Sequence, residues 1–406
     1  MNDDLRDMIH ISRTTGADQR LVQGGGGNTS VKTDGGRRMY VKASGTALGE
    51  MEEGSGYRLV DVDECVAILE DEDLGALEAD EREAAVLSRL LAACEDDLPG
   101  RPSVETSLHA MLGRCVVHTH PSVVNGLLCA QKGREALRGL FGQMSPPYLY
   151  IEWAGAGYVL ADRMKDELAG YEDEHGRLPE VIFLENHGLF VTTEQADRAL
   201  GLTESIFETI QQAAEQAAAQ AGLPEFTPPA PELKEKLVEA ARTTARGFYA
   251  EVFGGPAVVG FTCGEAIADL LRMPDAEQLA AVPPLTPDQV VYCREHPVWV
   301  AQTADPAELA ERLEGALAAA EAGTRTPLCV LIEGLGLLCA APNAKLLDTV
   351  QATMAAAAET LTVAALFGGP RSLDAETVEW MRNWEVERFR HQMAAGQKAE
   401  RDRSGP

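Results

Sequence analysis

The sequence predicts an α/β protein with two domains. Strand-like runs alternate with helix-like segments along the chain, which is typical of this fold class. The length of 406 residues is enough for two or three domains. Four prolines within 222–231 mark a linker. We therefore expect a catalytic domain at 1–221, a second α/β domain at 232–395 and a disordered tail at 396–406.

The elements of the first domain are predicted from residue spacing and helix-start signals. Apolar residues recur at helical spacing over 78–94. Ser103 follows Pro102 and is typical of the N-cap of a helix that runs to Leu112. The apolar run Cys115–Thr119 predicts a strand, after which Pro121 favours the start of a helix. Further helices are expected at 3–15, 61–70, 158–169 and 194–221, a glycine-rich turn at 24–27, and strands at 39–42 and 180–185.

The second domain is predicted from strand-like runs with helix-like stretches between and after them. A short internal repeat connects the two halves, because Phe183–Phe190 can be laid over Leu331–Leu338 at an offset of 148. A long alanine-rich helix follows each segment. If the repeat is real, Leu335 stands where His187 stands, and the second copy has lost this histidine. Strands are expected at 257–261, 290–293, 298–300 and 328–332.

The formal net charge of −29 indicates a solvated acidic surface. It argues against a nucleic-acid groove, which needs clustered basic residues. A phosphate pocket would have to be locally basic, and the window 20–42 carries a net charge of +4. No uninterrupted apolar stretch is long enough to span a membrane. The lack of a signal-peptide pattern and the scattered cysteines predict a cytoplasmic protein with reduced thiols.

Three of the eight histidines predict a metal site. His118 and His120 alternate along one strand, so both imidazoles lie on the same face. His187 follows another strand and precedes a glycine, and it can complete a cup of three nitrogens with an open position for substrate. Imidazole ligands suit Zn²⁺, with Fe, Co or Mn also possible. The competing interpretation of any single histidine is a satisfied core or surface residue.

Two further features are candidates for chemistry. Glu105 lies in the first turn of the predicted helix, where a carboxylate is stabilised by the helix dipole alone. If it lies beside the metal, it can ligate or move a proton. The segment 23–30 is rich in glycine and is either a simple turn or an anion-binding loop. The turn 43–46 and Ser103 offer further hydrogen-bond donors.

Together these segments resemble the class II aldolase/adducin family. Five motifs occur in the order that the family shows, over roughly residues 5–215. The whole chain is also similar to the aldolase part of a bacterial group, labelled rhamnulose-1-phosphate aldolase/alcohol dehydrogenase, although the dehydrogenase is not among these 406 residues. The matching motifs are Gly26–Ser30, Lys42–Thr46, Pro102–Glu105, His118–Pro121 and Asn186–Gly188.

The resemblance implies an αβα three-layer fold with a central, mainly antiparallel sheet, and an oligomeric assembly. It implies zinc, or another divalent metal, on His118, His120 and His187. The counterpart of Glu105 in family aldolases ligates the empty metal and acts as acid and base. One departure is Val104, which stands where some family aldolases place a phosphate-binding serine. The phosphate pocket implied by the resemblance consists of Gly27, Asn28, Ser44, Gly45 and Ser103.

The function implied is cleavage of a ketose 1-phosphate to dihydroxyacetone phosphate and an aldehyde. An alternative is another metal-dependent lyase, epimerase or decarboxylase of the same family acting on a sugar or sugar acid, which Val104 favours. A non-catalytic, adducin-like scaffold is a third hypothesis, but a scaffold has no need for intact metal ligands. The expected partners are a small sugar phosphate and further copies of the chain, with no nucleic acid and no membrane.

Overall fold

The computed structural model describes residues 2–321 and 326–383. Backbone contacts within these ranges divide the chain into two compact units. The first unit contains 2–128 and 134–213, and the second contains 129–133 and 214–383. The expected tail at 396–406 lies outside the described residues. The domain boundary at the proline-rich segment stays a prediction.

The strands of the first unit form one sheet of seven strands. They are β1 (Asn28–Thr33), β2 (Arg38–Lys42), β3 (Tyr57–Asp61), β4 (Cys115–Thr119), β5 (Leu149–Ile151), β6 (Val181–Leu184) and β7 (Gly188–Thr193). Their order is β3-β2-β1-β4-β7-β6-β5. Every neighbouring pair is antiparallel except β5 and β6. The expected α/β fold with a mainly antiparallel central sheet is confirmed.

Helices accompany this sheet along the first half of the chain. The first begins after Asn2, whose side chain accepts a hydrogen bond from the backbone N–H of Leu5, and it buries Leu5, Met8 and Ile11 at helical spacing. The helices are α1 (Asp3–Gly16), α2 (Val62–Ala67), α3 (Glu72–Gly75), α4 (Ala79–Ala92), α5 (Thr106–Ala110), α6 (Ser122–Leu128), α7 (Gly133–Phe141), α8 (Tyr158–His175) and α9 (Ala196–Ala221).

The strand β1 was not predicted, although it is central to the sheet. Its sequence, Asn-Thr-Ser-Val-Lys-Thr, lacks the apolar alternation that marks a half-buried strand. It forms a strand because it is paired on both sides: Ser30 lies opposite Val41 of β2 and Val116 of β4. The strands β3, β5 and β7 were also missed.

The structure corrects the predicted helix start at Ser103. The helix α5 begins at Thr106, and Glu105 occupies its N-cap position. Ser103 instead lies in the preceding loop, where its hydroxyl accepts a hydrogen bond from the backbone N–H of Glu105 at 3.3 Å. The sequence signal for a capping residue was real but displaced, because the extended segment continues past Pro102.

The second unit contains a smaller sheet with the order β8-β11-β10-β9, in which β8 is Val258–Thr262, β9 is Val298–Val300, β10 is Cys329–Ile332 and β11 is Gly336–Ala341. A large apolar core that includes Val330, Leu338 and Met354 stabilises this unit. Its helices are α10 (Pro231–Phe253), α11 (Glu265–Leu271), α12 (Ala276–Ala280), α13 (Pro287–Cys293), α14 (Pro306–Glu321), α15 (Ala344–Leu366) and α16 (Ala375–Asn383).

The strand predicted at 290–293 is wrong, because these residues form the last turns of α13. The β-branched and aromatic run Val-Val-Tyr-Cys favours a strand by propensity. Pro287 at the first helical turn starts the helix instead. Every residue of α13 is buried, so the segment carries no amphipathic period that could have revealed the helix.

None of the described helices combines the length and the apolar character that are needed to span a bilayer.

The buried Glu83 of α4 gives a pH-dependent prediction. Its carboxylate accepts a hydrogen bond from the backbone N–H of Tyr158 at 3.3 Å, and burial raises its pKa to about 7. The folded state therefore favours the protonated acid, and this contribution is lost as the pH rises through 7. We expect the free energy of unfolding to fall by about 3 kcal/mol between pH ~4.5 and pH ~8, relative to Glu83→Gln.

Chemical denaturation of both proteins at several pH values measures this difference. Glu174→Gln, an exposed position on α8, is the matched control and should keep the slope of the wild type. Equal slopes for the wild type and Glu83→Gln would contradict the account.

Candidate metal centre

The three predicted histidines meet at one end of the sheet. His118 lies in β4, and His120 follows the end of that strand with its ring on the same side. His187 lies in the tight turn that joins β6 to β7, where its backbone N–H donates to the carbonyl oxygen of Leu184 at 3.2 Å. Asn186 allows this turn by adopting a left-handed conformation with φ of 54°. The pairing of β4 with β7 brings the turn to the histidines of β4.

The geometry of the three rings is that of a ligand cup. One nitrogen from each ring lies within 4.8 Å of the others, and all three residues are buried. The Nε2 atoms of His118 and His120 are 3.0 Å apart. Two nitrogens that are each ~2.1 Å from one ion lie ~3.0 to ~3.4 Å apart for angles at the ion of about 90° to about 109°. The observed separation falls within this range.

Glu105 adds a carboxylate to the cup. Its Oε1 atom lies 3.3 Å from Nε2 of His118 and 3.2 Å from Nε2 of His187. Its Oε2 atom accepts a hydrogen bond from the side chain of Asn28 at 3.5 Å. Burial acts to raise the pKa of Glu105, but the two neighbouring imidazoles outweigh burial and hold this pKa well below its usual range. The side chain is therefore an anion when the cup holds positive charge, on an imidazole or on a bound ion.

The hydrogen bond of His118 fixes which nitrogen carries its proton. Its Nδ1 atom lies 3.0 Å from the carbonyl oxygen of Leu189, which can only accept. Burial lowers the pKa of His118 to about 4, so the ring is neutral at neutral pH. The proton therefore resides on Nδ1, and Nε2 presents a lone pair toward Glu105. Bonds of this kind to a backbone carbonyl commonly orient metal-bound histidines.

This donor set fits a divalent metal ion. A lone pair of His118 and the carboxylate of Glu105 are both acceptors, and they converge in a buried space. Their mutual repulsion is relieved by a cation between them. His118, His120 and His187 would hold the ion, and neutral imidazoles with an oxygen ligand suit Zn²⁺, Mn²⁺, Fe²⁺ or Co²⁺.

The packing around the cup leaves little room for change. The ring of Phe190 stacks on His118, with centroids 4.0 Å apart. At Gly188, an added Cβ would lie 2.5 Å from the carbonyl oxygen of Thr119 and 2.8 Å from the ring of His120. His109 is fully buried beside Phe190, and its Nδ1 atom forms a hydrogen bond with the hydroxyl of Ser30 at 2.8 Å. It is a core residue rather than a ligand.

The predicted phosphate-binding residues lie on three loops that contact each other. Gly27 takes a φ of 69° at the start of β1, and an added Cβ there would lie 2.9 Å from the carbonyl oxygen of His118. Asn28 lies opposite His118 in the sheet. An isolated antiparallel bridge pairs Ala43 with Pro102, so Ser44 lies beside Arg101 and Ser103 lies beside Lys42. The backbone N–H of Ser44 donates to the carbonyl oxygen of Arg101 at 2.8 Å.

These contacts join Asn28 and Ser103 to Glu105, and they join Ser44 to Arg101, two residues before Ser103. Asn28 contacts the carboxylate of Glu105, and Ser103 contacts its backbone. Gly45 has a φ of 82° in the turn after Ser44, a conformation that favours glycine. The backbone N–H of Ser44 is already used, so phosphate binding by Ser44 would rest on its hydroxyl. The assignment of these residues to a phosphate stays a prediction.

The basic window 20–42 contributes less to this region than its net charge suggests. Arg20 pairs with Asp18, and Arg38 pairs with Asp34. Lys32 donates to the carbonyl oxygens of Ala110 and Leu112, and burial lowers its pKa.

Lys42 is a functional candidate that the sequence did not single out. Its Nζ atom donates to the carbonyl oxygen of Gly25 at 2.9 Å, and its side chain is buried. It is the one basic residue of the window that contacts the glycine-rich loop in the hydrogen bonds of the described ranges. Its place inside one of the five family motifs was the available signal.

The family model of the class II aldolase and adducin N-terminal domain matches residues 6–217. The chain belongs to this family. The match covers the whole cup and the three loops, and it confirms the resemblance. The second unit from residue 218 onward lies beyond the matched residues, so the chain is a larger version of a class II aldolase domain.

Among the relatives of this class II aldolase family member is an uncharacterized oxidoreductase, YuxG, of Bacillus subtilis. The two are 23% identical over 324 residues, which is 76% of this chain and 44% of YuxG. The chain thus spans less than half of that relative.

Solved structures of class II aldolases also match. An N-terminal class II aldolase domain from Thermoplasma acidophilum is 24% identical, covers 52% of this chain and 94% of its own, and has a TM-score of 0.43. An L-fuculose-1-phosphate aldolase from Thermus thermophilus is 19% identical, covers 54% of this chain and 98% of its own, and has a TM-score of 0.34.

Removing one ligand should remove the metal. Loss of a residue that only contacts a metal ligand typically weakens metal binding by ~10- to 100-fold. Because His120 would itself be a ligand, we expect His120→Ala to weaken binding by more than this. Elemental analysis of the purified protein measures the metal bound per chain. His10→Ala, an exposed position on α1, is the matched control and should retain the ion. Full occupancy in His120→Ala would refute the ligand assignment.

The turn at Gly188 should be sensitive to a single methyl group. Gly188→Ala forces a Cβ against the carbonyl oxygen of Thr119 and the ring of His120. We expect a ~10- to 100-fold loss of metal affinity with the sheet intact, measured by competition with a chelating dye. Gly201→Ala, in α9 with open space around it, should bind metal as the wild type does. Unchanged affinity in Gly188→Ala would show that the turn does not position the cup.

Proposed function

We propose that this protein is a metal-dependent aldolase that cleaves a ketose 1-phosphate to dihydroxyacetone phosphate and an aldehyde. The observation that carries the proposal is the meeting of three buried imidazoles with the anionic Glu105 at the end of β4. A divalent ion held by His118, His120 and His187, Zn²⁺ in the first instance, supplies Lewis-acid stabilisation of negative charge during carbon–carbon cleavage.

The chemistry requires a group that moves a proton at the reacting carbon. Breaking the bond between C3 and C4 turns the C4 hydroxyl into an aldehyde, which releases the proton of that hydroxyl. The bond's electron pair stays at C3, and the second product forms when C3 takes up a proton. Glu105 is the carboxylate placed to carry that proton, since its two oxygens face the histidines and Asn28. Asn28 and the backbone contact with Ser103 hold Glu105 in position.

The phosphate of the substrate would bind the three loops beside the cup. Gly27 and Gly45 let the backbone approach an anion closely, while Asn28, Ser44 and Ser103 offer polar side chains. The contact of Lys42 with the carbonyl oxygen of Gly25 supports the shape of the glycine-rich loop. A phosphate here would hold the far end of the substrate while the carbonyl group faces the histidines.

A second candidate function is supported by the weak basic character of these loops. Val104 supplies no hydroxyl, and Arg20, Lys32 and Arg38 are engaged elsewhere. A lyase, epimerase or decarboxylase that uses the same metal on an unphosphorylated sugar or sugar acid would need less positive charge. We favour the aldolase because the glycine-rich loop, the serine turn and Ser103 are all present and adjacent.

We also propose a cytoplasmic location and a homo-oligomeric assembly. The eight cysteines are free thiols, which suits a reducing compartment.

Glu105→Gln tests the proton-transfer role. The amide keeps the shape of the side chain but cannot take up and release a proton, so we expect kcat to fall by ~10²- to 10⁴-fold. The measurement is aldol cleavage by the metal-loaded protein, with metal content determined in parallel. Glu174→Gln serves again as the matched control and should keep full activity. If the rate is undiminished in Glu105→Gln, the proton-transfer role is wrong, and Glu105 serves only at the start of α5.

The substrate class is tested with paired sugars. Ketose 1-phosphates and the corresponding free ketoses and sugar acids are incubated with the metal-loaded protein, and the released aldehyde is measured. We expect cleavage of a phosphorylated member, with a loss of kcat/KM in Ser103→Ala. Turnover of free sugars alone, unchanged in Ser103→Ala, would contradict the phosphate site and favour the second candidate.

A further inference from the structure

The smaller sheet has the same topology as one half of the larger sheet. Its order β8-β11-β10-β9 matches β4-β7-β6-β5, in which two antiparallel pairs are followed by one parallel pair. The helices agree as well: α6 follows β4 as α11 follows β8, and α9 follows β7 as α15 follows β11. The correspondence therefore extends well beyond the short sequence repeat.

The register of the two sheets also agrees. Phe190 of β7 pairs with His118 of β4, and Leu338 of β11, at the same offset of 148, pairs with Phe261 of β8. The turn that joins β6 to β7 and the turn that joins β10 to β11 share one hydrogen-bond pattern. In one, Glu185 accepts from the backbone N–H of Trp153 at 3.0 Å; in the other, Glu333 accepts from the backbone N–H of Gln302 at 3.0 Å.

The turn between β10 and β11 contains a glycine that is packed as closely as Gly188. An added Cβ at Gly336 would lie 2.7 Å from the carbonyl oxygen of Thr262, as an added Cβ at Gly188 would meet Thr119. The metal ligands, however, are replaced. This register places Phe261, Cys263 and Leu335 at the positions of His118, His120 and His187.

The strands that continue the larger sheet have no counterpart in the second unit as far as the structure describes it. In the first unit, β1 pairs with the outer edge of β4, from Asn28 opposite His118 to Val31 opposite Cys115. In the second unit, β8 is the terminal strand of its sheet within the described residues. Its outer backbone edge is therefore left open at the place where the first unit adds a strand.

Of the features that normally protect an edge strand from pairing, the described part of this edge has Pro256 before the strand but no charged side chain. The segment 254–264 contains no charged residue, although 24% of the chain is charged. Edge strands are usually protected by lysines, prolines or bulges. Val258 at the start of β8 is 37% exposed, and Phe261 is only partly buried. The edge is apolar, accessible and without a charge to repel a partner strand.

The surface beside this edge suits a second copy of the chain. A groove of about 1060 Å³ lies between the end of β8 and the first turns of α10. Two chains that each carry a charge of −29 repel each other least where the local charge is balanced. The groove is such a place, because its walls hold equal numbers of both signs: Glu232, Glu235 and Glu239 against Lys234, Lys236 and Arg242.

We propose that two copies of this chain associate by antiparallel pairing of β8 with β8 of the second copy. A two-fold axis through Gly260 places Val258 opposite Thr262 of the partner, and the two sheets join into one of eight strands. The α10 helices then lie side by side, where glutamates of one copy face cations of the other. The partner strand takes the position that β1 takes in the first unit.

Charge substitutions on β8 test the pairing. In Val258→Lys/Thr262→Lys, like charges lie directly opposite across the two-fold axis, and the same holds for Val258→Glu/Thr262→Glu. We expect each variant alone to show about half the assembly mass of the wild type in sedimentation velocity. Mixing the two variants should restore the wild-type mass, because lysines then face glutamates.

The control is Val159→Lys, which alters another exposed valine, on α8, and should leave the mass unchanged. A wild type that is monomeric at micromolar concentration would overturn the proposal, as would lysine and glutamate variants that keep the wild-type mass. If the variants do not fold, hydrogen exchange of the wild type decides. Protection of the β8 amides that rises with protein concentration supports the pairing, and protection independent of concentration overturns it.

Discussion

An electrostatic conflict between Glu105 and His118 is the constraint on which the chemistry of the site depends. The carboxylate of Glu105 faces an unprotonated nitrogen of the fully buried His118 at 3.3 Å. Neither group can donate to the other, because the proton of His118 is held by the carbonyl oxygen of Leu189. A cation is the simplest species that satisfies both, and the remaining two imidazoles complete its ligand set. The proposed phosphate site and the proposed proton transfer by Glu105 both depend on that cation.

The second unit provides an internal comparison for this argument. It builds the same four strands, the same glycine turn and the same glutamate contact, but with Phe261, Cys263 and Leu335 at the ligand positions. The backbone therefore does not need imidazoles at these positions in order to fold. Three histidines in the first unit are therefore not needed for packing, and Phe261, Cys263 and Leu335 fill the corresponding positions of the second unit.

Much of the candidate site could be predicted from the sequence because it depends on short-range periodicity. Alternation along a strand put His118 and His120 on one face, and a glycine after His187 marked the close approach of the turn. What could not be predicted depends on long-range pairing. The polar strand β1 forms only because β2 and β4 flank it. The net charge of 20–42 overstated the basic character of the loops. Arg20 and Arg38 pair with the sequence neighbours Asp18 and Asp34, and Lys32 is held at the end of α5, which lies close only in the fold.

The most direct test of the central claim is diffraction from crystals of the metal-loaded protein at the absorption edge of the ion. The account predicts one strong anomalous peak in each chain, ~2.0 to 2.2 Å from the Nε2 atoms of His118, His120 and His187, and none beside Cys263. A fully loaded protein whose peak lies away from these three rings, or rings that point apart with no peak between them, would contradict it.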